Sequence, residues 1–212
     1  MTSRSAETAP ARAAEPFRLA VLVSGNGSNL QAILDACTGG TLDAEVRVVV
    51  SNRREAYALT RAAEAGVPAL VMEQGDRTRR DYDAELARTV ATVGVDLVVL
   101  AGWDRLLSEA FVAHHPVINL HPAKPGVFRG LGAIEKAYAG WREGTVSSGG
   151  VMVHFVPDEG VDDGPVIVTE EVPFEPDDTL DSFAKRVHAT EHRLLVKAIA
   201  KVIAVAARQP LR

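Results

Sequence analysis

Two apolar patterns alternate along the chain. The first is a set of short, nearly unbroken apolar runs: Arg18–Val23 (RLAVLV), Val46–Val50, Pro68–Met72, Asp96–Ala101 (DLVVLA) and Val117–Leu120. Such runs are expected of strands covered on both faces of a parallel sheet. The second is a helical spacing between them, over Leu30–Ala36, over Tyr57–Ala65 with Gly66 as a stop, and over Arg79–Val93. In the last of these Tyr82, Leu86, Val90 and Val93 share one stripe. Strands alternating with helices predict an α/β fold, a doubly wound and mostly parallel sheet.

The pattern changes after residue 122. A proline- and glycine-rich loop precedes a helix over Ala133–Trp141, and two strands, Thr145–Val156 and Pro165–Val172, then flank an acidic loop rather than a helix. That arrangement predicts an antiparallel hairpin. One long helix, from about Thr179 to residue 206, closes the chain. No internal repeat is visible. The expected organisation is a tail over residues 1–16 and one domain over 17–206, with an N-terminal half to about 115 and a C-terminal half from about 116.

Composition narrows the function. The chain has 212 residues, 47% hydrophobic and 24% charged, with a net charge of −5. The mild acidity argues against non-specific nucleic-acid binding, which needs a basic face. No apolar run approaches the roughly 20 residues of a membrane span. The first sixteen residues lack the apolar core of a signal peptide, so a disordered tail and a cytoplasmic location are expected. A single cysteine, Cys37, excludes a disulfide framework and reads as packing in a helix. No His, Cys or carboxylate spacing suits a metal. The adjacent His114 and His115 read as surface residues.

Ligands of doubly wound sheets sit beyond the strand C-termini, and the polar residues gather there. Ser24-Gly25-Asn26-Gly27-Ser28-Asn29 joins the first strand to a helix. Glycines let a backbone approach a ligand, and a helix N-terminus favours an anion. The third glycine of a dinucleotide fingerprint is replaced by Leu30, and no Walker lysine follows, so the loop suits a single phosphate. Taken alone it is also a plain tight turn. Gly102–Leu107 follows the strand Asp96–Ala101. Val117-Ile118-Asn119-Leu120-His121-Pro122 ends in an amide and an imidazole that strand alternation puts on one face.

The segments Ser24-Gly-Asn-Gly-Ser-Asn-Leu-Gln-Ala-Ile, Val99-Leu-Ala-Gly-Trp-Asp-Arg-Leu-Leu-Ser, Asn119-Leu-His-Pro, Val153-His-Phe-Val and Val161-Asp-Asp-Gly-Pro-Val-Ile, in this order, closely resemble the folate-dependent formyltransferases. The likeness spans residues 18–200. It implies a Rossmann-like formyltransferase fold, 10-formyltetrahydrofolate as formyl donor, glycinamide ribonucleotide as amine acceptor, and no metal. It implies that Gly27, Ser28 and Asn29 hold the acceptor's phosphate and that Glu191 contacts the same molecule near its ribose. Arg105, Leu106 and Leu107, with Asp104 among them, correspond to the folate segment. Pro157 to Asp162, with Asp158, corresponds to the loop closing over the pterin, and Arg79 to an arginine reaching the donor's carboxylate tail.

Asn119, His121 and Asp162 correspond to a catalytic trio, Asn119 and Asp162 also bordering the folate. Asp158 and Asp163 compete with Asp162 for its role. The trio suits attack of an amine on a formyl carbon. An amide N–H and an imidazolium steady the oxyanion, the imidazolium then passes a proton to the leaving folate nitrogen, and a carboxylate favours the charged imidazole. His154 reads as a structural residue or a supporting partner, and Trp103 as wall or core.

Several positions depart from the family pattern. Lys124 and Asp104 stand where apolar residues are common, Val151-Met152 where small hydroxyl residues are frequent, and the loop before Asp162 is one residue longer. The alternatives are a sugar-nucleotide formyltransferase, a formyltetrahydrofolate deformylase, or a non-catalytic folate- or nucleotide-binding regulator. Small-molecule partners and a monomer or homodimer are expected.

Overall fold

In the first strand, β1 (Phe17–Val23), residues Leu19 to Val23 are all fully buried, which requires cover on both faces. The computed structural model describes residues 15–209, so the tail expected over residues 1–16 lies almost wholly outside the described residues. After β1 come α1 (Ser28–Thr38), β2 (Ala44–Ser51), α2 (Tyr57–Glu64), β3 (Ala69–Val71), α3 (Arg79–Val93) and β4 (Leu97–Leu100). Then follow α4 (Glu109–Val112), β5 (Val117–His121), α5 (Ala133–Arg142), β6 (Ser148–Phe155), β7 (Val166–Pro173) and α6 (Leu180–Ala206).

The seven strands form one sheet in the order β3-β2-β1-β4-β5-β6-β7. Neighbours from β3 to β5 run parallel, and β6 is antiparallel to both β5 and β7. The fold is therefore the predicted doubly wound α/β sheet with an antiparallel C-terminal pair and a long final helix. Chain order reverses between β1 and β4, the switch point where such sheets bind ligands.

Alternation along β1 divides the core. Leu19, Val21 and Val23 join a cluster with Ile33, Phe183, Leu194 and Ile199 from α1 and α6. Ala20 and Leu22 join Tyr82, Leu86 and Val90 of α3 on the other face. The final helix starts where predicted because Thr179 and Ser182 form a capping box, each side chain accepting the other's backbone N–H, at 3.1 and 3.0 Å. Cys37 is half-buried in α1, and burial pushes its thiol up to about 11. Among the described residues no helix is long and apolar enough to cross a membrane.

Three sequence expectations are corrected. Strand β6 begins at Ser148, not Thr145, because the Thr145 and Val146 amides are spent on the Gly140 carbonyl that closes α5. The one-turn helix α4 was not expected, since four residues are too few to carry a period. His115 is not a surface residue: its Nε2 lies 3.0 Å from the Ala87 carbonyl and its ring packs on Phe111, whereas His114 is exposed.

Candidate active site

The C-terminal ends of β1, β4 and β5 meet at one edge. The Ser24 amide donates to the Gly102 carbonyl at 3.0 Å, which joins the loops after β1 and β4 directly. Beside them opens a cavity of about 470 Å³, bounded by Trp103 to Leu107, Asn119, His121, Gly130 to Ala133 and the segment from Gly160 to Asp162.

At its base the predicted trio is assembled. Asp162 has one carboxylate oxygen 2.9 Å from Asn119 Nδ2 and the other 3.3 Å from His121 Nδ1. Its second oxygen also accepts the Gly130 amide at 2.8 Å. His121 and Asp162 side chains are 6% and 9% exposed, so little water screens the pair. Asp158 and Asp163, the competitors for this role, are otherwise engaged: Asp158 accepts the Gly160 amide, and Asp163 pairs with Arg129 at 3.1 Å.

Nε2 of His121 lies 3.0 Å from the Phe128 carbonyl, so both ring nitrogens face acceptors. A neutral imidazole has one N–H to give and can satisfy only one of them. Burial pushes the His121 pKa below its ordinary value, and Asp162 and the Phe128 carbonyl pull against that shift without cancelling it. Asp162 favours the charged ring, and the cost of burying a cation outweighs it. Asp162 itself stays below the usual carboxylate range. Its own burial opposes ionisation, while the hydrogen bonds from His154 and the Gly130 amide more than offset it.

Phe128 and Asp162 are the two non-glycine residues with positive φ among those described, both at 49°. Each therefore sits in a disfavoured conformation where it touches His121, as active-site residues often do. No sequence signal announced Phe128, because a backbone carbonyl has no residue type. His154 proves to be the supporting partner expected. It is 2% exposed, its Nδ1 faces the Phe155 carbonyl at 2.8 Å, and its Nε2 lies 3.3 Å from Asn119 Nδ2.

The residues expected to bind folate are divided. Asp104, Arg105, Leu106, Leu107, Asn119, Asp158 and Asp162 border the cavity. Arg79 and Pro157 do not: Arg79 is ion-paired with Glu159, which also accepts the Glu109 amide at 2.9 Å, and Pro157 borders a separate surface hollow with His115 and Pro116. The Asp104 carboxylate is already occupied by Ser24 Oγ at 2.9 Å, Asn52 Nδ2 at 2.8 Å and the Arg53 guanidinium. These contacts hold it ionised despite half-burial. Asp104 thus ties the ends of β1, β2 and β4 together. Lys124, the other departure, donates to Ser148 Oγ at 2.9 Å, its stem lying where a Cβ on Gly150 would stand.

Gly27, Ser28 and Asn29 lie at the N-terminus of α1 and do not border the cavity. Gly27 takes a left-handed conformation (φ 76°), and no side chain caps the helix, so its first amides are not closed off by Ser28 or Asn29. Asn29 turns instead to Glu191, whose buried carboxylate lies 3.4 Å from Asn29 Nδ2 and 2.8 Å from His188 Nδ1. His188 is raised above its ordinary value by that carboxylate.

The protein is thus of the doubly wound α/β class, with an Asn-His-Asp cluster at the C-terminal end of β5. The sequence places it further: residues 17–199 match the formyl transferase family, and the chain belongs to that family. Several relatives carry one name, phosphoribosylglycinamide formyltransferase. That of Schizosaccharomyces pombe is 43% identical over 200 residues, 87% of this chain and 96% of the relative. That of Escherichia coli is 41% identical over 182 residues, 84% of this chain and 83% of the relative. Among solved structures, glycinamide ribonucleotide transformylase 1 of Symbiobacterium toebii superposes with a TM-score of 0.82 at 42% identity, covering 88% of this chain and 87% of that one.

Proposed function

We propose that the chain transfers a formyl group from 10-formyltetrahydrofolate to the amine of glycinamide ribonucleotide, a step of purine biosynthesis. The relatives' shared name supports the acceptor and the formyl group, and the donor rests on the resemblance to the folate-dependent formyltransferases. The observation that carries the chemistry is Asp162, which holds Asn119 on one carboxylate oxygen and His121 on the other at the base of the cavity.

The acceptor's amine attacks the formyl carbon, and the carbonyl oxygen becomes an oxyanion. Asn119 has two amide protons. One is held by Asp162 at 2.9 Å, and the other is left for the oxyanion, the 3.3 Å approach of Nδ2 to His154 Nε2 being too long to hold it. A donor so placed contributes about 3 kcal/mol to the transition state. His121, neutral at rest, turns its unprotonated nitrogen from the oxygen it faces towards the amine, takes the proton that the amine loses and becomes an imidazolium beside Asp162. It then gives that proton to the departing folate nitrogen as the C–N bond breaks, and the ring returns to its starting form. Every proton is accounted for, with no covalent enzyme intermediate. The Gly27–Asn29 loop takes the acceptor's phosphate, and Glu191 its ribose.

The test is an absorbance assay of donor consumption with and without glycinamide ribonucleotide. Consumption that depends on the amine is expected. Consumption without it makes the chain a hydrolase; binding without consumption in either case overturns glycinamide ribonucleotide as the acceptor.

A further inference from the structure

The loop from Gly25 to Asn29 is gripped from behind by α2. The Ala58 amide donates to the Gly25 carbonyl at 3.1 Å, and Gly27 approaches α2 so closely that a Cβ there would stand 2.6 Å from the Ala58 Cβ. Arg61, one turn further along α2, completes the grip. Its Nε donates to the Asn26 backbone carbonyl at 2.9 Å, Nη2 to Asn26 Oδ1 at 3.1 Å, and Nη1 to Gln31 Oε1 at 3.1 Å. Its stem passes Gly27, where an added Cβ would meet Cδ at 3.4 Å, and its guanidinium lies over the Tyr57 ring.

All three partners are neutral. Arg53 and Arg186 each have a carboxylate against them, but among the described residues no carboxylate pairs with Arg61. Its charge is therefore left uncompensated next to the open amides of α1. At Asn29 the loop meets the reverse sign, since Asn29 Nδ2 lies 3.4 Å from the Glu191 carboxylate of α6. A loop held by a cation on one side and a carboxylate on the other discriminates between the two ends of a ligand.

We infer that Arg61 is a positioning residue for the acceptor: it fixes the course of the Gly25–Asn29 loop and adds the positive charge that makes its amides select a phosphomonoester. This rests on the function proposed above, which gives the loop its phosphate. The guanidinium acts through the loop, because three of its five N–H groups are held by Asn26 and Gln31. A lysine at this position would keep the charge but lose the fork that holds both acceptors of Asn26.

The experiment compares the full-length protein with Arg61→Ala and Arg61→Lys by steady-state kinetics, and by titration with ribose 5-phosphate in the absence of donor. In Arg61→Ala the KM for glycinamide ribonucleotide and the dissociation constant for ribose 5-phosphate both rise about 10- to 100-fold, as loss of charge-assisted contacts predicts. The KM for the formyl donor and kcat stay within about threefold on the same reasoning. Arg61→Lys recovers part of the lost affinity in both measurements. Unchanged acceptor affinity in Arg61→Ala overturns the inference, as does a loss spread equally over donor and acceptor. If Arg61→Ala does not fold, Arg61→Lys decides alone, and wild-type affinity there counts against the fork. Should the wild type bind ribose 5-phosphate yet transfer nothing to glycinamide ribonucleotide, the proposed reaction fails while the titration still judges Arg61. A wild type that does not bind ribose 5-phosphate sinks the inference.

Discussion

Oδ2 of Asp162 lies 3.3 Å from Nδ1 of His121, and neither side chain is more than a tenth exposed. The pair ties the loop after β6 to the end of β5 across 41 residues of chain. Replacing Asp162 by Asn removes the charge while keeping the size. Turnover should fall by about 100-fold or more, the scale of a positioned acid–base group, with donor affinity changed far less. Rates at saturating and at limiting donor separate the two effects.

The pH profile follows from burial. His121 titrates below its ordinary value of about 6.5, and the proposed step needs it neutral at the start. The rate should therefore rise with pH through a limb below about pH 6.5 and level off above it. Asp162 works against the depression, so in Asp162→Asn the limb moves to still lower pH. A limb that stays put or moves up would refute the coupling. Stability has a matching sign. Between pH 6.5 and the lower folded value the unfolded chain binds a proton that the native ring does not, so this histidine costs stability as pH falls through that window.

Asn119→Ala should lower kcat by about 100- to 1000-fold, the effect of losing one oxyanion donor. It also frees one oxygen of Asp162, so His121 should titrate differently in the variant. Histidine chemical shifts followed against pH would register that change independently of rate.

Gly27→Ala tests the seat of the loop. The residue sits at φ 76°, and its new methyl would be 2.6 Å from one backbone-anchored carbon and 2.8 Å from another, both of Ala58. Left-handed strain and overpacking together should cost about 1–3 kcal/mol. A urea midpoint reads the loss, and an unshifted midpoint would mean that α2 yields instead.

Acid sensitivity should centre away from the site. Asp178 is almost fully buried, accepts Arg186 Nη1 at 2.8 Å and the Glu175 amide at 2.8 Å, and is held well below the usual carboxylate range, mainly by Arg186. A depressed carboxylate contributes stability that is whole above its unfolded value of about 3.9 and disappears as pH drops through its folded one. Asp178→Asn should thus cost about 2–3 kcal/mol at neutral pH and flatten the decline of the urea midpoint below about pH 4.

What could be read in the sequence was whatever is written in side-chain type and period. The buried run Leu19–Val23 announced a central strand because five consecutive apolar residues fit few other environments. Asn119 and His121 were legible as a pair because β periodicity is strict. Asp162 was legible through its neighbours Val161 and Gly164-Pro165. The Phe128 carbonyl was not, since its role depends on a backbone turn that any residue can supply. Arg79 and Asp104 show another limit. Both were expected to serve the folate, but no spacing reveals that Glu159 lies against one, or that Asn52 and Arg53 reach the other from a different strand end. Glu109–Val112 was too short to be periodic.

The double acceptor environment of His121 has one more consequence. At rest the ring presents one N–H to two oxygens, so one of its nitrogens faces an acceptor without a proton between them. The site is built around a missing hydrogen. In the proposed step the ring takes the amine's proton, and the vacancy between two fixed oxygens is filled. Discharge to the leaving group reopens it. The protein thus keeps a place ready for a particle that it holds only during the reaction, and the strained turns at Phe128 and Asp162 are the frame of that place.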